Sequence, residues 1–177
     1  MLAPDLYWRT QPGLALPSDD LKGGMAASQQ LDVERATQDA ISTLAVLREL
    51  PEVVGARAGV LGFCLGGTIA WQVAAQAEPD VAVCYYGSGI PGSLDAATQI
   101  ACPTLLHFGG SDRFIARERV DGVVAMAAVH DAIECHVHEG AGHAFDNSFS
   151  PMFSQPEPAA RAWEQTSAFL ARELPVA

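Results

Sequence analysis

The chain has 177 residues, enough for one domain and too few for two of ordinary size. Hydrophobic residues make up 49% and charged residues 18%, which excludes a disordered chain. A formal net charge of −11 argues against nucleic acid and anionic membrane as partners.

The elements follow in chain order. Residues 1–28 are rich in breakers (Pro4, Pro12, Gly13, Pro17, Gly23, Gly24) and read as loop with at most one short element. Residues 29–49 carry Leu31, Val33, Ala36, Ala40, Ile41, Leu44 and Leu47 at helical spacing, and Pro51 stops the run. Strand and helix then alternate. Strands are predicted at 59–63, 81–86, 104–108 and 133–139, and helices at 65–77, 116–129 and 159–174. Trp163, Phe169 and Leu170 are placed on the apolar side of the last helix, and Trp8, Trp71 and Trp163 read as packing anchors. Continuous apolar strands alternating with helices predict an α/β fold, a mostly parallel sheet with flanking helices. In such sheets chemistry collects beyond the carboxyl ends of the strands.

The apolar runs stop well short of the roughly 20 residues that a membrane helix needs. No basic segment followed by an apolar one opens the chain, so no signal peptide is read. Cys64, Cys84, Cys102 and Cys135 have no C-x-x-C spacing and read as reduced thiols in a cytoplasmic protein.

The strongest chemical signal is Gly62-Phe63-Cys64-Leu65-Gly66-Gly67, where a strand ends and a helix begins. A nucleophile on a sharp strand-to-helix turn needs small neighbours two residues to either side, a role assigned here to Gly62 and Gly66. The helix N-terminus also favours a thiolate. Asp112 follows one later strand, in Gly109-Gly110-Ser111-Asp112-Arg113, and His143 follows the next, in Gly140-Ala141-Gly142-His143-Ala144-Phe145. The order nucleophile, acid, histidine, each at its own strand end, is that of the α/β-hydrolase triad. His143 would exchange a proton with Cys64, and Asp112 would orient the imidazole. Singly, Asp112 also reads as a turn residue and His143 as a loop histidine.

These strings, with Ala3-Pro4-Asp5-Leu6-Tyr7, Tyr85-Tyr86-Gly87 and His107-Phe108-Gly109-Gly110-Ser111-Asp112, resemble the dienelactone hydrolase family, α/β-hydrolases with a cysteine nucleophile. The resemblance runs from Ala3 to about Leu174. It implies Cys64 as nucleophile, Asp112 as acid, His143 as base, the Leu65 backbone N–H as an oxyanion donor and Tyr85 near the substrate. It implies an ester or lactone substrate and no cofactor. It also implies several strands ahead of the Ala-Pro-Asp-Leu-Tyr string, which here opens the chain. The expectation is therefore a single domain over 1–177 with a partial α/β-hydrolase fold whose N-terminal strands are missing, through truncation or a start codon placed too late. The strand before Cys64 would then present an open edge through which the chain could self-associate. The family's arginine four residues after the histidine is replaced by Asn147, with Asp146 beside it. A substrate carboxylate there would be repelled, so another ester or lactone is as good a candidate as dienelactone.

Other readings rank lower. The glycines around Cys64 lack the spacing of a phosphate loop. His136 and His138 share a strand face as a metal pair would, without a third ligand signalled. A second function class remains: a catalytically impaired remnant acting as a structural or interaction module.

Overall fold

In the computed structural model, which describes residues 1–17 and 19–175, the four strands sit at the predicted places. They are β1 (Val60–Phe63), β2 (Ala82–Tyr85), β3 (Thr104–Gly109) and β4 (Ile133–His138), hydrogen-bonded in that order. All three pairings are parallel, and one row across the sheet reads Phe63, Tyr85, His107, His136. Parallel neighbours need long crossovers. The helix α3 (Leu65–Ala77) joins β1 to β2, and α4 (Arg117–Ala127) joins β3 to β4. Between β2 and β3 the chain makes only 3-10 turns, at Ile90–Gly92 and Leu94–Gln99. This is the α/β architecture read from the alternation.

The predicted helix over 29–49 is divided. Gln29 and Gln30 end a separate α1 (Leu21–Gln30), Leu31 is extended, and α2 runs over Val33–Glu49. The reason lies in the caps. Asp20 accepts from the Gly23 N–H and Asp32 from the Arg35 N–H, so each carboxylate starts its own helix. The final helix, α5 (Pro156–Glu173), buries Ala162, Thr166 and Phe169, whereas Trp163 is 56% exposed. The apolar stripe thus lies to one side of Trp163, and the expectation that this residue anchors packing is corrected. Trp8 is also half exposed; Trp71 alone of the three is fully buried.

The core is built on β2 and β3, every residue of which is buried. A second cluster joins Ala36 and Leu44 of α2 to Ile69 and Val73 of α3, with Leu6 and Leu65 packed against it. Among the described residues β1 pairs with β2 alone, and it exposes Leu61 and Phe63 at 39% and 40%. It is an edge strand, as the sequence led one to expect.

One polar chain crosses this core. Tyr85 Oη meets Thr166 Oγ1 at 2.7 Å, Thr166 Oγ1 meets His107 Nε2 at 3.0 Å, and His107 Nδ1 meets His138 Nε2 at 3.1 Å. Burial, with the neighbouring histidines, drives His107 down to about 3. Burial and Arg161 bring His138 down to about 4. Both stay neutral in the fold at pH values where an unfolded histidine takes up a proton. The contribution of these two histidines to stability is therefore complete above about pH 6.5 and declines as pH falls toward those values, by about 1.4 kcal/mol per pH unit per histidine at most. Urea midpoints measured from pH 7 to pH 4.5 should fall accordingly; a flat profile would show that these imidazoles titrate freely.

Candidate active site

The turn after β1 is so tight that two of its glycines leave no room for a Cβ. A Cβ on Gly62 would lie 2.0 Å from the Gly66 carbonyl oxygen, and one on Gly67 2.5 Å from that of Tyr85. Both contacts are with backbone, which cannot move aside. A Cβ on Gly66 meets nothing within 4 Å, so the small neighbours that the turn requires are Gly62 and Gly67 rather than Gly62 and Gly66. Cys64 itself has φ 53° and ψ −115°, a conformation that costs about 1–3 kcal/mol and is kept at turns that must lift a side chain off the sheet. Its thiol is half-buried, and Leu65 begins α3, whose first N–H groups lack partners within the helix.

Asp112 and His143 arrive from the ends of β3 and β4. His143 Nδ1 lies 2.7 Å from Asp112 Oδ2, and His143 Nε2 lies 3.1 Å from Cys64 Sγ. The structure thus brings together three side chains that the sequence separates by 31 and 79 positions. The other Asp112 oxygen accepts the N–H groups of Phe114 at 2.7 Å and Ile115 at 3.1 Å. The Asp112 side chain is 1% exposed, which fixes its orientation. Burial disfavours the imidazolium, but the hydrogen bonds to Asp112 and Cys64 prevail and push His143 up to about 9. With Nδ1–H donated to the carboxylate, Nε2 faces the sulfur, and the raised basicity of the imidazole favours the shared proton on Nε2.

Tyr85 and Tyr86 divide by the strand's alternation. Tyr85 is 1% exposed and turns its hydroxyl to Thr166, in the core. Tyr86, with φ 37°, lays its ring 5.0 Å from that of His143 and donates its hydroxyl to Asp146. Of the two it is Tyr86 that faces the imidazole, where the resemblance put Tyr85 near the substrate. Position alone signalled it, since it is the first residue past the carboxyl end of β2. Burial raises the Asp146 carboxyl above its ordinary range. Phe114 closes another side of His143, edge-on at 5.0 Å. Tyr7 stands near enough to Cys64 that the thiol adds to the effect of burial in raising its phenol. A cavity of about 440 Å³ opens beside His143, lined among others by Ser111, Arg113, Phe114, Met152 and Gln155.

The sequence profile of the dienelactone hydrolase family matches residues 1–174. A carboxymethylenebutenolidase of a Pseudomonas species is 34% identical over 178 residues, covering 99% of this chain and 74% of that protein. One from Pseudomonas putida is 34% identical over 152 residues, covering 84% of this chain and 64% of that protein. A crystal structure provisionally named a dienelactone hydrolase, from Klebsiella pneumoniae, superposes with a TM-score of 0.80 at 23% identity. It is covered to 73% by 96% of this chain. Esterase 2 of Thermogutta terrifontis superposes with a TM-score of 0.66 at 16% identity over 86% of this chain and 68% of that one. These two likenesses concern the fold.

Proposed function

The chain belongs to the dienelactone hydrolase family, and from that premise we propose that it hydrolyses a carboxylic ester or lactone through Cys64, His143 and Asp112. Cys64 Sγ attacks the acyl carbon while His143 Nε2 takes the thiol proton. Asp112 holds the imidazole by Nδ1 and stabilises the imidazolium. The oxygen that becomes negative turns to the Leu65 N–H at the head of α3. Collapse breaks the bond to the leaving oxygen, which takes the proton from His143; in a lactone that alcohol stays attached. Water, deprotonated by His143, then releases the acid from the thioester. Water is the only co-reactant these steps require.

The observation that carries this reading is the pair of distances, 3.1 Å from imidazole to sulfur and 2.7 Å from imidazole to carboxylate. The relatives' names suggest a butenolide bearing a carboxylate. In the cavity Arg113 is a cation that could meet one, while Asp146 beside Tyr86 would repel one, and Phe114 and Met152 suit an apolar portion. A small neutral ester or lactone fits at least as well. The cysteines, all free, agree with a reducing compartment such as the cytoplasm, and no helix among the described residues is long and apolar enough to cross a membrane.

Turnover of p-nitrophenyl acetate, abolished by iodoacetamide, is the expected result. Alkylation selects Cys64 because burial pushes the Cys135 thiol up to about 12 and raises those of Cys84 and Cys102 as well. No turnover, or turnover that survives complete alkylation of Cys64, rejects the reading. A second reading rests on the exposed Leu61 and Phe63 at the edge strand β1: a module that self-associates there without turnover. Gel filtration of a protein inert toward esters would favour it by showing a dimer or larger.

A further inference from the structure

His143 sits on a turn that is not relaxed. Gly140 before it has φ +77° and Ala144 after it has φ 51°, and the latter is a conformation that alanine avoids. Such a turn keeps its shape only if its surroundings over-determine it. Gln155 supplies much of that determination. Its Oε1 accepts the Gly142 N–H at 2.6 Å, its Nε2 donates to the Gly140 carbonyl at 3.3 Å, and its backbone N–H donates to the Phe145 carbonyl at 2.8 Å. The partners fix which way the amide points, because a backbone N–H can only donate and a carbonyl can only accept.

The residue is also in an unusual place. Gln155 is the N-cap of α5, yet its side chain makes no capping bond to that helix. Ser, Thr, Asp or Asn would ordinarily serve there. The longer carboxamide reaches away from its own helix to the histidine turn. Because Ala162, Thr166 and Phe169 bury α5 in the core, Gln155 is mounted on a rigid element. It also lines the cavity beside His143.

We propose that Gln155 is a positioning residue for His143: by holding Gly140 and Gly142, which lead into the histidine, its side chain sets the imidazole between Cys64 and Asp112. The proposal rests on the reading of those three residues as the reacting group. A misplacement of about 1 Å in such a group costs on the order of 10²-fold in rate.

Two substitutions test it, Gln155→Ala and Gln155→Glu, each with three readouts. These are kcat and KM on p-nitrophenyl acetate, the iodoacetamide rate against pH, and the melting temperature. Gln155→Ala should lower kcat by about 10- to 100-fold with KM changed by less than about 2-fold. The pH at which alkylation of Cys64 is half-maximal should move upward, as the thiol loses its aligned base. Gln155→Glu keeps the acceptor for Gly142 but sets a carboxylate against the Gly140 carbonyl. Its activity relative to the unsubstituted protein should therefore recover as pH falls and the carboxyl becomes a donor again. A merely structural role would give losses that follow melting temperature, with the alkylation profile unmoved; that outcome, or unchanged kcat in Gln155→Ala, overturns the proposal. If the alanine variant does not fold, the glutamate variant decides on the same readouts. An unsubstituted protein without ester turnover counts against the hydrolase reading, and the alkylation profiles still decide for Gln155.

Discussion

Cys64→Ser should fold as the unsubstituted protein does and lose at least about 10³-fold in ester turnover. The two side chains differ by one atom, and the thiol is only half-buried, so the change in stability should stay within about 1 kcal/mol. The chemistry is less forgiving. A hydroxyl yields its proton far less readily than a thiol, and it is a weaker nucleophile at the same site. The imidazole, placed 3.1 Å from the sulfur, is set for the larger atom with the longer bond to carbon. Covalent labelling by iodoacetamide should disappear together with the turnover, since the other three thiols are held back by burial. Equal rates in the two proteins would reject Cys64 as the nucleophile.

How much of this could be read before the structure depended on the range of the interaction. The strand ends and α3 were legible because Gly62 and the apolar runs act locally, though Gly66 was read as the second cramped position where the backbone makes it Gly67. The order Cys64, Asp112, His143 was legible because a parallel sheet sends successive strand ends to one rim. Boundaries set by capping were legible in principle, since Asp20 and Asp32 stand where their helices begin, but Leu31 and Val33, at helical spacing with the rest, straddle Asp32 and hid the break. Gln155 was not legible at all. Its bond to Gly142 spans 13 positions within the connection from β4 to α5, and no periodicity marks it. The same holds for Tyr86, whose role came from being one residue past the end of β2 and not from its type. Tyr85, drawn toward the site by resemblance, spends its hydroxyl on Thr166.

His143→Ala should do damage comparable to loss of the thiol, on the order of 10⁴-fold, because members of such a set act as a unit and not as a sum. It should also change how stability depends on pH, in a direction fixed by the pKa. In the fold Asp112 and Cys64 overcome burial and hold the imidazolium up to about 9, against 6.5 for a free histidine. A raised value contributes stability that is fully present below pH 6.5 and is lost as pH rises through about 9. Unfolding midpoints of the unsubstituted protein should therefore decline over that interval, and those of His143→Ala should decline less. An alanine variant that still turns over ester, or one that keeps the full alkaline decline, would remove His143 from the role assigned to it. Misfolding is an unpromising alternative explanation for lost activity. Asp112 would keep the Phe114 and Ile115 N–H groups on its other oxygen. The carboxylate most exposed to the loss of its partner therefore remains bonded, and what disappears is the proton path between sulfur and leaving group.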